Sequence, residues 1–122
     1  MREEYGFGMG SDTMKDRQRE HLISWMTEAA SEFIVRSVSF PNVLITVTRV
    51  DIPQTAERAI IYISVWPETK EVEVLKSIRA LRRDFYEYAK QKFILGRRIA
   101  VDFAIDHGEK ARRNVEELLK NR

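Results

Sequence analysis

The apolar positions of this chain switch between a helical period near 3.6 and a strand period of 2, and the switches define its elements. Leu22, Met26, Ala29 and Phe33 recur at helical spacing and predict a helix from about Met14 to Val35, opened by Thr13 and Asp16 as a weak capping pair. Pro41-Asn42 marks a loop over Arg36–Val43. Leu44–Ile52 is rich in β-branched residues and predicts a strand that Pro53 stops, and Ala59–Trp66 predicts a second strand closed by Trp66-Pro67. A long helical pattern follows over Glu71–Leu95. Ile99, Val101, Phe103 and Ile105 then alternate strictly with Ala100, Asp102, Ala104 and Asp106, the mark of a strand with one buried face. A last helical pattern covers Glu109–Leu119.

The predicted order is α-β-β-α-β-α. The first two strands are close enough in sequence to pair as an antiparallel hairpin, and the helix between the second and third allows a crossover. The fold class expected from this order is α+β: a three-stranded sheet with helices packed on one face and a possible C-terminal helix beyond it. With 122 residues and 43% hydrophobic content the chain can build one core, so residues 13–122 are expected to form a single domain. Residues 1–12 place Gly6, Gly8 and Gly10 in five positions without periodicity and are expected to be a flexible tail. Tyr5-Gly6-Phe7-Gly8 within it lacks the basic residue and the Phe-Val of an RNA-recognition motif. No run reaches the roughly 20 apolar residues of a membrane span. The start carries acids and no apolar signal core, and cysteine is absent, which excludes disulfides and thiolate metal ligation and fits a cytoplasmic protein.

Charge is unevenly distributed along the chain. Lys76–Arg98 carries eight Lys and Arg (Lys76, Arg79, Arg82, Arg83, Lys90, Lys92, Arg97 and Arg98) against Asp84 and Glu87, a local net charge of +6. The whole chain is only +2, so the remaining residues sum to −4. A localised basic surface is the electrostatic footprint of a polyanion binder. If Glu71–Leu95 is one helix, Lys76, Arg79, Arg83, Lys90 and Arg97 fall within roughly 60° of one another around its axis. Val74, Ile78, Leu81, Phe85 and Ala89 cluster on the other side and are expected to dock on the core. A plain solvated face would mix signs to gain i,i+4 pairs, and only Glu87 interrupts this one.

The residue types of known catalytic and metal sites are thinly represented. His21 and His107 are the only histidines, and without a neighbouring carboxylate-histidine cluster no zinc site is expected. Asp102 and Asp106 point to one strand face but lie about 13 Å apart along it, too far for paired glycosidase carboxylates, and are expected to be solvated acids opposite the core. The phosphate-binding loop and the nucleophile-elbow motif are both missing. No catalytic residue, metal or cofactor is expected. Trp25 is expected to flank the first helix's apolar face and Trp66 to pack at the strand-to-turn junction. Tyr86, beside the basic stripe, is the better candidate for stacking on a base.

Three segments in this order resemble the ribosome-binding factor A family, over roughly residues 14–119. They are Thr46-Val47-Thr48-Arg49-Val50-Asp51-Ile52, Ala59-Ile60-Ile61-Tyr62-Ile63-Ser64-Val65, and the stretch from Phe85 through Arg97 to a last strand finishing in Asp106. The resemblance implies a KH-like fold of the prokaryotic type, binding to small-subunit ribosomal RNA in late maturation, a frequent link with growth in the cold, and no catalytic activity. It also implies an Ala-x-Gly kink in the central helix. Spacing from Phe85 puts that kink at Arg82-Arg83-Asp84, where both residues are replaced and Asp84 can cap a second segment. The Pro usual before the last strand and the Asp-Leu pair usual ahead of the second are replaced here by Ile99-Ala100 and Ala56-Glu57-Arg58. Like the family, the chain lacks the Gly-x-x-Gly loop by which standard KH domains clamp single strands, so backbone contact with structured RNA is the expected mode. The expected phosphate contacts are Lys76, Arg79, Arg83, Lys90 and Arg97, with Arg82 and Arg98 next. The expected partner is the small ribosomal subunit and its rRNA, with no membrane, no small-molecule substrate, and a monomer when free. The rival reading is a protein-interaction module of the same fold that self-associates or binds another factor without RNA.

Overall fold

The computed structural model describes residues 15–55, 57–92, 99–108, 115, 118 and 119. The expected tail, Thr13 of the expected cap, and Arg97 and Arg98 lie outside the described residues. So does the expected last helix, apart from Val115, Leu118 and Leu119, which are helical and exposed.

Six regular elements are described: α1 (Asp16–Ser37), β1 (Leu44–Asp51), β2 (Arg58–Trp66), α2 (Glu71–Ala80), α3 (Arg82–Lys92) and β3 (Ala100–Ile105), with a single 3₁₀ turn at Glu68–Lys70 before α2. The sheet order is β1-β2-β3. β1 and β2 pair antiparallel, and β2 and β3 pair parallel, with Ile61 beside Phe103 and Ile63 beside Ile105. The parallel pair requires a long crossover, which α2 and α3 supply. The result is an α+β fold with a mixed three-stranded sheet and helices packed on it. Among the described residues no helix is long and apolar enough to cross a membrane.

The core sits between the helices and one sheet face. β2 alternates: Ala59, Ile61, Ile63 and Val65 are buried, while Ile60, Tyr62 and Ser64 face away. From the helices, Met26, Ala29, Ala30 and Phe33 of α1, Val74 and Ile78 of α2, and Phe85 and Ala89 of α3 meet that face. Phe85 is the wedge of this layer. It is fully buried, edge-on to Phe33 at 5.4 Å and edge-on to Phe103 at 5.7 Å, so one ring joins α1, α3 and β3. Edge-to-face pairs contribute about 0.5–1.5 kcal/mol each beyond the area they bury. The Pro41-Asn42 loop turns through Asn42 at φ 60°, a left-handed conformation that Asn tolerates better than most residues.

Three expectations are corrected. The stretch Glu71–Leu95 is not one helix: it breaks at Leu81 (φ −101°, ψ 8°), whose N–H bonds to Ile78 O at 2.9 Å before Phe85 N–H resumes the α-pattern on Leu81 O at 2.8 Å. The break at Leu81 therefore precedes Arg82-Arg83-Asp84, where spacing from Phe85 puts the kink, by one residue. Asp106 is not a solvated acid but is 6% exposed, and Asp102 is held in ion pairs. Trp66 is not packed at its junction; it ends β2 with 55% of its surface exposed, opposite the still more open Leu44 of β1.

Candidate nucleic-acid interface

The break at Leu81 decides how the basic residues are presented. In each helix the apolar residues recur at i, i+4: Val74 and Ile78 in α2, Phe85 and Ala89 in α3, and all four are buried. Burying that stripe turns Lys76, Arg79, Arg82, Arg83 and Lys90 to the surface, where all five are exposed. They stand on two short helices rather than as one stripe, with Arg82 and Arg83 in the first turn of α3 beside the end of α2.

Two open grooves flank this corner. One, of about 490 Å³, is lined by Val72, Leu75, Lys76, Arg79, Ala80 and Arg82. The other, of about 650 Å³, is bounded by Arg82, Arg83 and Tyr86 on α3, by Ile99–Val101 at the start of β3, and by Glu57 and Glu87. Arg82 borders both. Tyr86 is half-buried, and Lys90 Nζ stands 6.0 Å from its ring centroid. Of the sites named from sequence, the structure thus brings Arg82, Arg83 and Tyr86 to one groove and Lys76, Arg79 and Arg82 to the other.

The arginines are not equally free. Arg79 donates Nε and Nη2 to the two carboxylate oxygens of Asp102 at 3.0 and 2.9 Å, a bidentate fork, and Arg82 Nη1 adds a contact at 3.3 Å. Asp102 Oδ1 also accepts the Phe103 N–H at 2.8 Å. Partial burial works to raise the Asp102 pKa, but the Arg79 hydrogen bond, the Phe103 N–H, the Arg79 charge and the Arg82 contact outweigh it and hold the carboxyl below its usual value. Among the described residues, Lys76 and Arg83 have no ion-pair partner. Reversing the charge of Arg79 would therefore break this fork as well as remove a surface cation.

A second polar cluster was invisible in the sequence. Asp106, just past β3, accepts the Thr48 hydroxyl at 2.6 Å and faces Arg49 Nε at 3.5 Å, while Arg49 covers the Tyr62 ring. Thr48 is the extra residue of a β-bulge between Val47 and Arg49. A bulge shifts side chains between faces, so period-2 counting cannot place Thr48 and Arg49. His21 and His107 are both exposed, His21 against the half-exposed Trp25 at 5.9 Å, and among the described residues no group of three His, Asp or Glu could hold a metal.

Comparison with known proteins bears on the fold. No family model matches the sequence, and no curated protein matches it significantly. Among solved structures, ribosome-binding factor A from Thermus thermophilus superimposes with a TM-score of 0.61 at 20% identity, over 70% of this chain and 92% of that one. The chain has the fold of ribosome-binding factor A. A candidate ribosome binding factor A from Thermotoga maritima, solved by solution NMR, gives a TM-score of 0.50 at 18% identity over 81% of this chain and 91% of its own. In both comparisons nearly the whole length of the ribosome-binding factor A chain is matched.

Proposed function

We propose that this protein is a ribosome-binding factor A that acts in late maturation of the small ribosomal subunit, holding small-subunit rRNA by phosphate contacts from α2 and α3. Its fold is that of solved ribosome-binding factor A structures. The observation that carries the reading is the division of labour on these two helices: Val74, Ile78, Phe85 and Ala89 are buried in the core, while Lys76, Arg79, Arg82, Arg83 and Lys90 are exposed around the break at Leu81 and outnumber the exposed acids Asp84 and Glu87 beside them. Phosphodiester backbones carry one charge per nucleotide, and release of their counterions drives association with such a surface. The protein is a non-enzymatic, cytoplasmic factor, monomeric when free, built as one domain over residues 13–122.

Lys76, Arg83 and Lys90 are the principal phosphate contacts, since Arg79 and Arg82 reach the surface already engaged with Asp102. Recognition is of structured RNA by shape and backbone, because no Gly-x-x-Gly clamp is available for a single strand. The test is binding of the K76E/R83E/K90E variant to a small-subunit rRNA hairpin. A large loss of affinity in a variant with unaltered circular dichroism supports the reading, and unchanged affinity removes the basic corner from it.

A further inference from the structure

The Arg79–Asp102–Arg82 cluster has more cationic capacity than its one acid requires. Four N–H donors from three residues converge on a single carboxylate: Nε and Nη2 of Arg79 from α2, Nη1 of Arg82 from α3, and the backbone N–H of Phe103 in β3 itself. A side-on guanidinium fork is the geometry that recognises carboxylate and phosphate alike. Tying α2 to β3 needs one arginine; the second leaves the cluster with a net positive charge. The cluster is also open, with side-chain exposures of 47% for Arg79, 49% for Arg82 and 27% for Asp102. Both guanidiniums border the groove that also contains Lys76, so the cluster continues the row of exposed cations.

We infer that Arg79 and Arg82 form a phosphodiester site in which the Asp102 carboxylate stands in for the ligand. The inference rests on the RNA-binding reading only for the source of the phosphate. When a phosphate arrives, it takes the Arg79 fork and the Arg82 contact, and Asp102 rotates off the edge strand into solvent. Asp102 therefore sets affinity: it removes one phosphate contact from the resting surface and restores it only where RNA presents a phosphate directly at the α2–α3 corner. A residue that merely oriented the arginines for RNA would have the opposite effect when removed.

The sign is measurable. The full chain and its Asp102→Asn variant are titrated with a small-subunit rRNA hairpin at several salt concentrations; Asn keeps an oxygen for the Phe103 N–H and discards the charge. The expected result is about 3- to 10-fold tighter binding near 0.1 M salt, because no internal carboxylate has to be displaced, with a log–log salt slope changed by less than the roughly 0.7–0.9 of one phosphate contact. The R79Q/D102N double variant should lose that gain. Wild-type RNA binding that D102N leaves unchanged or weakens overturns the inference and leaves the RNA-binding reading standing. If no form binds the hairpin, the RNA-binding reading falls, and inorganic phosphate decides the site on its own. The Arg79 Nε–H resonance should then shift at lower phosphate concentration in D102N than in wild type, and equal titrations would overturn the site.

Discussion

Arg49 holds its guanidinium 3.8 Å from the ring centroid of Tyr62, the residue opposite it across the β1–β2 ladder. The stack aims Arg49 Nε at Asp106, whose Oδ2 lies 3.5 Å away and also accepts the Thr48 hydroxyl at 2.6 Å. Each of the three segments that resemble ribosome-binding factor A contributes a residue to this cluster: Thr48 and Arg49, Tyr62, and Asp106. Their shared physical reason is one buried carboxylate that fixes the end of β3 against the β1 bulge. Replacing Asp106 with Ala removes the 2.6 Å acceptor of the Thr48 hydroxyl, leaving it Tyr62 O at 3.3 Å, and takes the carboxylate away from the half-exposed Arg49; it should destabilise the fold by about 1–3 kcal/mol. Asp106→Asn, which keeps an acceptor oxygen, should lose less. Denaturant unfolding of both variants checks the order.

Phe85 makes the second stability prediction. Truncation to Ala empties a fully buried site between Phe33 and Phe103 and should destabilise by about 3–5 kcal/mol. Phe85→Leu keeps most of the volume and should cost clearly less. Equal losses for the two would mean that the aromatic geometry, not the filled space, is what matters there.

How far the sequence could be read follows from what each signal measures. α1, β1, β2 and β3 were legible to within about two residues because one face of each is buried, and burial writes its period into the chain. The basic corner was legible as a charge imbalance. The break at Leu81 was not legible in the periodicity, since no Gly or Pro marks it and Val74, Ile78, Leu81, Phe85 and Ala89 fit an unbroken helix equally well; only the resemblance implied a kink, one residue further on at Arg82-Arg83-Asp84. Asp102 and Asp106 were misread for a different reason. Alternation correctly placed them off the core face, but an off-core residue is solvated only if nothing reaches over it. Arg79 and Arg82 reach Asp102 from the helices, and the bulge at Thr48 brings Thr48 and Arg49 to Asp106. Both depend on strand register and tertiary approach, which no local period encodes.

The charge variants separate binding from folding. K76E/R83E/K90E should weaken rRNA binding strongly with little change in unfolding midpoint. Three lost phosphate contacts correspond to a flattening of the log–log salt slope by about 2–2.7. R79E should behave differently: it places a carboxylate against Asp102 and breaks the fork, so its unfolding midpoint should fall as well. The comparison of binding and melting for the two variants reads the distinction directly.

Asp102 also sets a pH signature. Its carboxyl is held below the ordinary Asp value in the folded state, so the stabilisation is fully present above the unfolded-state pKa and is lost as pH falls through the lowered folded one. Wild-type stability should therefore decline on the acid side, below about pH 4, more steeply than that of D102N. Urea unfolding between about pH 2.5 and 6 measures it. Parallel curves would show that the ion pair adds no net stability, as holds for many exposed pairs.

Association with the small ribosomal subunit can be read by co-sedimentation. The purified protein is spun with isolated small subunits, large subunits and assembled ribosomes at low and moderate salt, alongside K76E/R83E/K90E. The wild type should travel with free small subunits alone, moderate salt should release it, and the triple variant should stay in the supernatant. Absence of the wild type from every ribosomal fraction at low salt would contradict the association and leave the likeness to ribosome-binding factor A as one of fold.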